Sequence, residues 1–70
     1  MPLSMVNQGE PNRIRRVGGR EDTRRFIESL GFVAGAEVTV VSESSGNLIV
    51  NVKDSRVAIG KDMANKIMVG

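Results

Sequence analysis

Apolar and polar residues alternate along three segments in the second half of the chain, which predicts three short strands that follow one another as a meander. These segments are Glu37–Ser42, Leu48–Lys53 and Arg56–Ile59. Turn-forming residues separate them: Ser44–Asn47 joins the first two, and Asp54–Ser55 is the predicted tip of the second hairpin. We therefore expect two tight antiparallel hairpins in this half.

After these strands the alternation stops at Gly60. Lys61–Lys66 is long enough for one helical turn with Met63 and Ala64 facing inward. Ile67–Val69 is the predicted closing strand.

The first half of the chain predicts two strands before its one longer helix. Leu3–Val6 is the predicted first strand, and Asn12–Val17 is the second. Ile14 and Val17 are three residues apart, which breaks the alternation of a regular strand. For both side chains to reach the core, we expect a bulge or bend near Arg15–Arg16.

Residues 21–30 predict a short amphipathic helix, and its stop signal is the most informative part of the sequence. The predicted inner face of the helix consists of Thr23, Phe26, Ile27 and Leu30. Gly31 follows where a positive φ ends a helix, and Phe32 can then fold back onto the helix. Gly35 stands third in Val33–Ala36, the place that a type II turn reserves for a residue with positive φ. These residues predict a corner from helix to strand.

Short strands with one helix inserted early and one helical turn before the last strand predict a mainly β fold, a small and partly open SH3-like barrel. Closing the sheet hides most strand edges, which protects a short chain from pairing edge to edge. Residues 1–70 are expected to form one domain, because this length is close to the smallest that a single core stabilises.

The chain has neither cysteine nor histidine, and this removes most of the usual catalytic chemistry. No thiol nucleophile, imidazole base, disulfide, thiolate ligand or imidazole ligand can form. Its carboxylates also lack the nitrogen or sulfur ligands that a specific iron site favours. We therefore expect a non-enzymatic protein with no cofactor and no metal site.

The first residues lack the basic head and long apolar run of a signal peptide. No apolar run elsewhere approaches the length that spans a bilayer. We expect a soluble cytoplasmic protein with no direct membrane insertion.

The positive charge of the chain is clustered rather than large. The net charge is +2, yet six of the ten basic residues are arginines between positions 13 and 25. Pairing of Arg24 and Arg25 with Glu21 and Glu28 would make this cluster an ordinary solvated surface. The alternative is a docking surface for an acidic partner, whose carboxylates match the fork of donors on arginine. A nucleic-acid partner is not expected, because only two aromatic side chains are present to stack on bases.

Apolar residues at outward-facing positions offer a second kind of surface. They are Val33, Val41, Ile49 and Met68. On a small barrel such residues would serve a protein contact or self-association into a homo-oligomer.

Several features together resemble the FeoA family, small cytoplasmic proteins that accompany the ferrous-iron permease FeoB in bacteria. They are Ile14 and Val17 followed by Gly18–Gly19, then Leu30-Gly31-Phe32 with Gly35, and Ala64 before a closing apolar strand. The resemblance runs nearly from end to end of the chain. It is carried by residues that shape the fold and not by a catalytic motif.

The resemblance implies an accessory or regulatory protein of bacterial ferrous-iron uptake that binds the cytoplasmic part of a FeoB-type permease. The predicted contact residues are Arg20, Arg24, Arg25, Phe32 and Val33. The C-terminal SH3-like domain of DtxR-type repressors has a similar pattern, so a metal-responsive regulatory module is one alternative. A small basic nucleic-acid-binding barrel is the other. Because residues 1–70 leave no room for the DNA-binding region of such a repressor, we expect the free-standing protein.

Overall fold

The computed structural model describes residues 1–70 and is mainly β. In chain order its elements are a 3-10 helix at Leu3–Met5, β1 (Pro11–Val17), α1 (Glu21–Ser29), β2 (Glu37–Ser44), β3 (Asn47–Val52), β4 (Ser55–Gly60), α2 (Lys61–Ala64) and β5 (Ile67–Val69). All paired strands are antiparallel, and they form one sheet in the order β4-β3-β2-β1-β5. The last strand therefore lies beside the first.

The sheet is interrupted at two places. A register shift lies between Ile14 and Arg16, where β1 pairs with β5. It confirms the predicted bulge and allows both Ile14 and Val17 to be buried. A second shift lies between Val40 and Ser42, where β2 pairs with β3. Such bulges increase strand twist and so help a short sheet to curve around its core.

The core consists of fourteen apolar residues, and no polar or charged side chain is buried with them. The strands supply Ile14, Val17, Val38, Val40, Leu48, Val50, Val52, Ile59, Ile67 and Val69. The rest come from Leu3, from Ile27 of α1, from Phe32 after α1, and from Ala64 of α2. Because a buried side chain of this size stabilises a fold by ~1.5–3 kcal/mol, the sheet rather than the helices accounts for most of the stability.

The two glycines between α1 and β2 have the backbone that the sequence predicted. Gly31 has a φ of 105°, and its amide donates to the Glu28 carbonyl at 3.0 Å. This is one of the two hydrogen bonds of a Schellman motif, and the other does not form. Gly35 has a φ of 89°, and the Ala36 amide donates to the Val33 carbonyl at 3.0 Å, as a type II turn requires.

The predicted strand at Leu3–Val6 is wrong. Its first residues form the 3-10 helix, in which the Met5 amide donates to the Pro2 carbonyl at 3.0 Å. Leu3 and Val6 are three residues apart, and one helical turn places such residues on the same side. Leu3 is buried, Val6 is half-buried against the core and Met5 is exposed, so the helical turn brings Leu3 and Val6 to the core, where a strand would have brought Leu3 and Met5.

The predicted tip of the β3–β4 hairpin is wrong by one residue. Val52 pairs with Ser55, so the two turn residues are Lys53 and Asp54. This register places Leu48 opposite Ile59 inside the core, whereas the predicted tip would have placed Leu48 opposite a lysine.

The other strands and both helices lie within two residues of their predicted bounds. Neither α1 nor α2 has the length and apolar character needed to cross a bilayer.

Candidate docking surface

The predicted contact arginines lie at and just after the start of α1. Arg20 is the residue that precedes the helix, and its carbonyl accepts the Arg24 amide at 2.8 Å. Arg20 and Arg24 are thus one helical turn apart. Glu21 and Asp22 occupy the first turn, where carboxylates interact favourably with the positive end of the helix dipole.

Only one of these arginines takes part in an ion pair. Arg25 Nη2 lies 2.7 Å from Glu21 Oε1, and the two side chains are 75% and 66% exposed. A pair so exposed, four residues apart on a helix, contributes ~0.2–0.5 kcal/mol. Arg20, Arg24 and Glu28 have no ion-pair partner. The guanidinium groups of Arg20 and Arg24 are therefore free to bind carboxylates of an acidic partner, while Glu21, Asp22 and Glu28 balance the overall charge of the helix.

Three hydrogen bonds join β1 to the turn at Val33–Ala36, which we call the corner turn. The Ile14 amide donates to the Ala36 carbonyl, and the Gly35 amide donates to the Ile14 carbonyl, both at 2.8 Å. Arg13 Nη1 donates to the Gly35 carbonyl at 2.7 Å. Arg13 therefore has a structural role that the sequence did not indicate, because its partner is 22 residues away.

Of the two apolar residues predicted to contact a partner, only one reaches the surface. Phe32 has no exposed surface, so its predicted role as a contact residue is wrong. The chain turns inward after Gly31 and places the Phe32 ring in the core. Val33 is half-buried and keeps part of its side chain at the surface.

Phe26 is the aromatic residue that the structure leaves at the surface, since it is 55% exposed. The helical pattern had placed it on the inner face of α1. Ile27 is the only fully buried residue of this short helix, so the inner face is narrower than the pattern predicted. The surface of α1 thus combines an exposed ring with Arg24 and Arg25.

The remaining parts of the surface offer no enclosed site. A shallow pocket of about 310 Å³ lies at the β3–β4 hairpin and contains none of the predicted contact residues. It is lined only by polar residues: Asn51, Lys53, Asp54, Ser55 and Arg56. No group of three aspartate or glutamate side chains is arranged to hold a metal ion. The geometry is thus that of an open binding surface.

The family model of the FeoA domain matches residues 1–70, which is the whole of this chain. The chain belongs to the FeoA family. A FeoA relative in Methanocaldococcus jannaschii, named Fe(2+) transport protein A, is 29% identical over 68 residues, which are 97% of this chain and 83% of that protein. The predicted resemblance to FeoA is therefore confirmed.

Solved FeoA structures have the same fold as this chain. A crystal structure of an iron uptake regulatory protein (FeoA) is 30% identical with a TM-score of 0.90, over 99% of this chain and 93% of that chain. The FeoA of Stenotrophomonas maltophilia, complexed with zinc, is 26% identical with a TM-score of 0.87, over 100% of this chain and 89% of that chain. Because that protein is described as an SH3 domain protein, the predicted SH3-like fold is confirmed.

Part of a metal-dependent repressor also shares the FeoA fold. A manganese-dependent transcriptional repressor is 19% identical with a TM-score of 0.88, and the match covers 99% of this chain but 40% of the repressor. At this identity the similarity concerns the fold alone. It explains why the sequence pattern resembles both kinds of protein.

Proposed function

We propose that this FeoA chain is a non-enzymatic accessory protein of ferrous-iron uptake that binds the cytoplasmic part of a FeoB-type permease. The match of residues 1–70 to the FeoA family is the observation that carries the proposal. The names of two relatives support it, since one is called an Fe(2+) transport protein and another is suggested to be a ferrous iron transport activating factor. Binding to a cytoplasmic domain requires that this chain is itself cytoplasmic.

The proposed contact surface consists of the start of α1 and the corner turn. Arg20 and Arg24 are free to bind carboxylates, and Arg25 can exchange its exposed partner Glu21 for one on the permease at little cost. Guanidinium groups bind carboxylates through two parallel hydrogen bonds, which gives orientation as well as attraction. Val33 adds an apolar contact that salt does not weaken.

Reversing the charge of Arg24 and Arg25 tests this surface. The double variant Arg24→Glu/Arg25→Glu should weaken binding to the purified permease domain about five- to thirtyfold, because two exposed pairs are replaced by repulsion. The salt dependence of binding should also become shallower. Both residues are exposed, so circular dichroism should show an unchanged fold.

The matched control is Arg15→Glu/Arg16→Glu, which changes the net charge equally at two exposed positions of β1. This control should retain most of the affinity. Equal weakening by both double variants would mean that overall charge, and not the α1 surface, attracts the permease. Unchanged affinity of the α1 variant would place the contact elsewhere on the protein.

A further inference from the structure

The two edges of the sheet, β4 and β5, differ in their protection. Beside β5, Pro2 forms a bridge with Met68, and the Val69 amide donates to the Met1 carbonyl at 2.8 Å. β4 has β3 as its only neighbour in the sheet. No backbone hydrogen bond of the loops, turns or caps involves residues 55–59. The β4 edge is therefore open.

The hairpin register determines which groups of β4 point to this open edge. Val52 and Ser55 flank a two-residue turn, so they form a hydrogen-bonded pair, and every second pair after them does the same. The later hydrogen-bonded pairs are Val50 with Val57 and Leu48 with Ile59. Arg56 and Ala58 lie between them, so their amide and carbonyl groups point away from β3. The outward amide and carbonyl groups of these two residues can thus form hydrogen bonds with another strand.

β4 also lacks most devices that prevent strand addition. Natural edge strands are often protected by proline, by an internal lysine, by a bulge or by short length. The six residues Ser55–Gly60 contain no proline and no lysine, and their register with β3 has no shift. The one charged side chain of the strand is Arg56, near its first residue.

The surroundings of this edge are basic. Arg56 Nε donates to Asn51 Oδ1 at 3.1 Å, which orients the guanidinium and leaves its terminal nitrogens without a carboxylate. Lys53 also has no ion-pair partner. Both residues line the polar pocket at the hairpin, whose only acid is Asp54. A carboxylate that approaches this end of β4 therefore meets a net positive charge.

We propose that β4 binds an extended acidic segment of another protein, which joins the sheet as an antiparallel strand and places a carboxylate beside Arg56. The main chain of the segment bonds the outward groups of Arg56 and Ala58. Side chains opposite these two residues lie on one face of the sheet, next to Arg56 in one case and next to Ala58 and Ile49 in the other. The segment therefore has an apolar residue followed two positions later by Asp or Glu.

Charge favours this occupant over a second copy of the chain. If two β4 strands paired antiparallel about Ala58, each Arg56 would lie opposite Gly60 of the other copy, next to Lys61, whose charge is already paired with Glu43 at 3.0 Å. The symmetry of such a dimer would leave both Arg56 side chains without an unpaired carboxylate on the facing strand, whereas an acidic segment supplies one. The proposed site shares no residue with the α1 surface and does not depend on the proposed permease contact.

A pair of short peptides tests the proposal by nuclear magnetic resonance. The probe is acetyl-Thr-Val-Thr-Glu-Thr-amide, and its matched control has Gln in place of Glu. The Glu peptide should cause saturable shifts of the Arg56 and Ala58 amide signals and slow their hydrogen exchange by tenfold or more. The Gln peptide, or the Arg56→Gln variant with the Glu peptide, should bind about two- to fivefold more weakly.

Two variants of Ala58 separate main-chain from side-chain effects. Ala58→Pro removes the outward amide, which an edge strand tolerates, and should abolish peptide binding while the protein stays folded. Ala58→Thr keeps the amide and should bind. If the proline variant does not fold, hydrogen exchange of the unaltered free protein still shows whether the β4 edge is open. Rapid exchange of the Ala58 amide beside slow exchange of the Val57 amide supports an open edge.

Three results would overturn the proposal. The first is slow exchange of the Arg56 and Ala58 amides in the free protein at all concentrations, which would show that the edge is closed. The second is the absence of shifts up to about 5 mM peptide, or equal affinity for the Glu and Gln peptides. The third is protection of these amides without peptide that increases with protein concentration, which would identify a second copy as the occupant.

Discussion

Substitution of Gly31 tests the connection between α1 and β2 through backbone conformation alone. The φ of Gly31 is 105°, in the region that L-residues rarely adopt. Space does not limit a side chain there, since an added Cβ would lie 3.7 Å from the nearest Val52 side-chain atoms and 3.8 Å from Lys53 Cδ. These are ordinary van der Waals distances, so any large loss of stability must come from the positive φ.

The expected cost can be stated for two variants. Gly31→Val should destabilise the protein by at least ~1–2 kcal/mol, because a Cβ in a left-handed conformation lies too close to the following carbonyl. The branched Cβ of valine increases this cost further. Gly31→Asn should cost less, since asparagine tolerates positive φ better than other residues. In a domain of this size, with a total stability of ~3–5 kcal/mol, the valine variant would be partly unfolded near 37 °C.

Gly60 provides the matched control. Its φ is −75°, and an added Cβ would lie 3.8 Å from Asn47 Oδ1. Gly60→Ala should therefore be close to neutral, because the restriction of the unfolded chain by alanine is offset by its poor fit to the N-cap position of α2. Urea denaturation of all three variants measures the free energies of unfolding. If both substitutions at position 31 lower the free energy of unfolding by the same small amount, Gly31 does not have a positive φ in solution, and α1 does not end as described.

Two further predictions concern the core and the absence of catalysis. Phe32→Ala should cost ~3–5 kcal/mol, because the ring is fully buried, whereas Phe26→Ala should cost less than about 1 kcal/mol at its exposed position; similar losses in urea denaturation would contradict the assignment of the two rings. The purified chain alone should not hydrolyse ATP or GTP, since it has no histidine or cysteine to activate a nucleophile; phosphate release that persists through successive purification steps would refute a non-enzymatic role.

The elements that could be predicted from the sequence are those whose causes are local. Gly31 and Gly35 are needed for positive φ within a few residues of chain, and both predictions are confirmed. The bulge in β1 followed from the spacing of Ile14 and Val17. Leu3–Val6 was predicted wrongly because Leu3 and Met5 have the spacing of a strand, whereas Leu3 and Val6 have that of a helical turn, and packing against the rest of the fold decides between them.

The docking surface was less predictable, because it depends on contacts between distant parts of the chain. The choice between Phe26 and Phe32 as the exposed ring follows from how α1 lies on the sheet, which helical spacing alone does not determine. The hydrogen bond from Arg13 to the corner turn joins residues far apart in sequence. The open edge of β4 follows from the order of the strands, which is a property of the whole sheet.

The fastening of the corner turn to β1 has a consequence for the lifetime of a complex. Its backbone is already held by Ile14 and Arg13, so a partner that contacts Val33 loses no loop entropy on association. Each arginine side chain of α1, in contrast, loses ~0.5–1.5 kcal/mol of rotamer freedom when it is immobilised. Charge steering by Arg20 and Arg24 should therefore act mainly on the association rate, while the preorganised corner turn should slow dissociation.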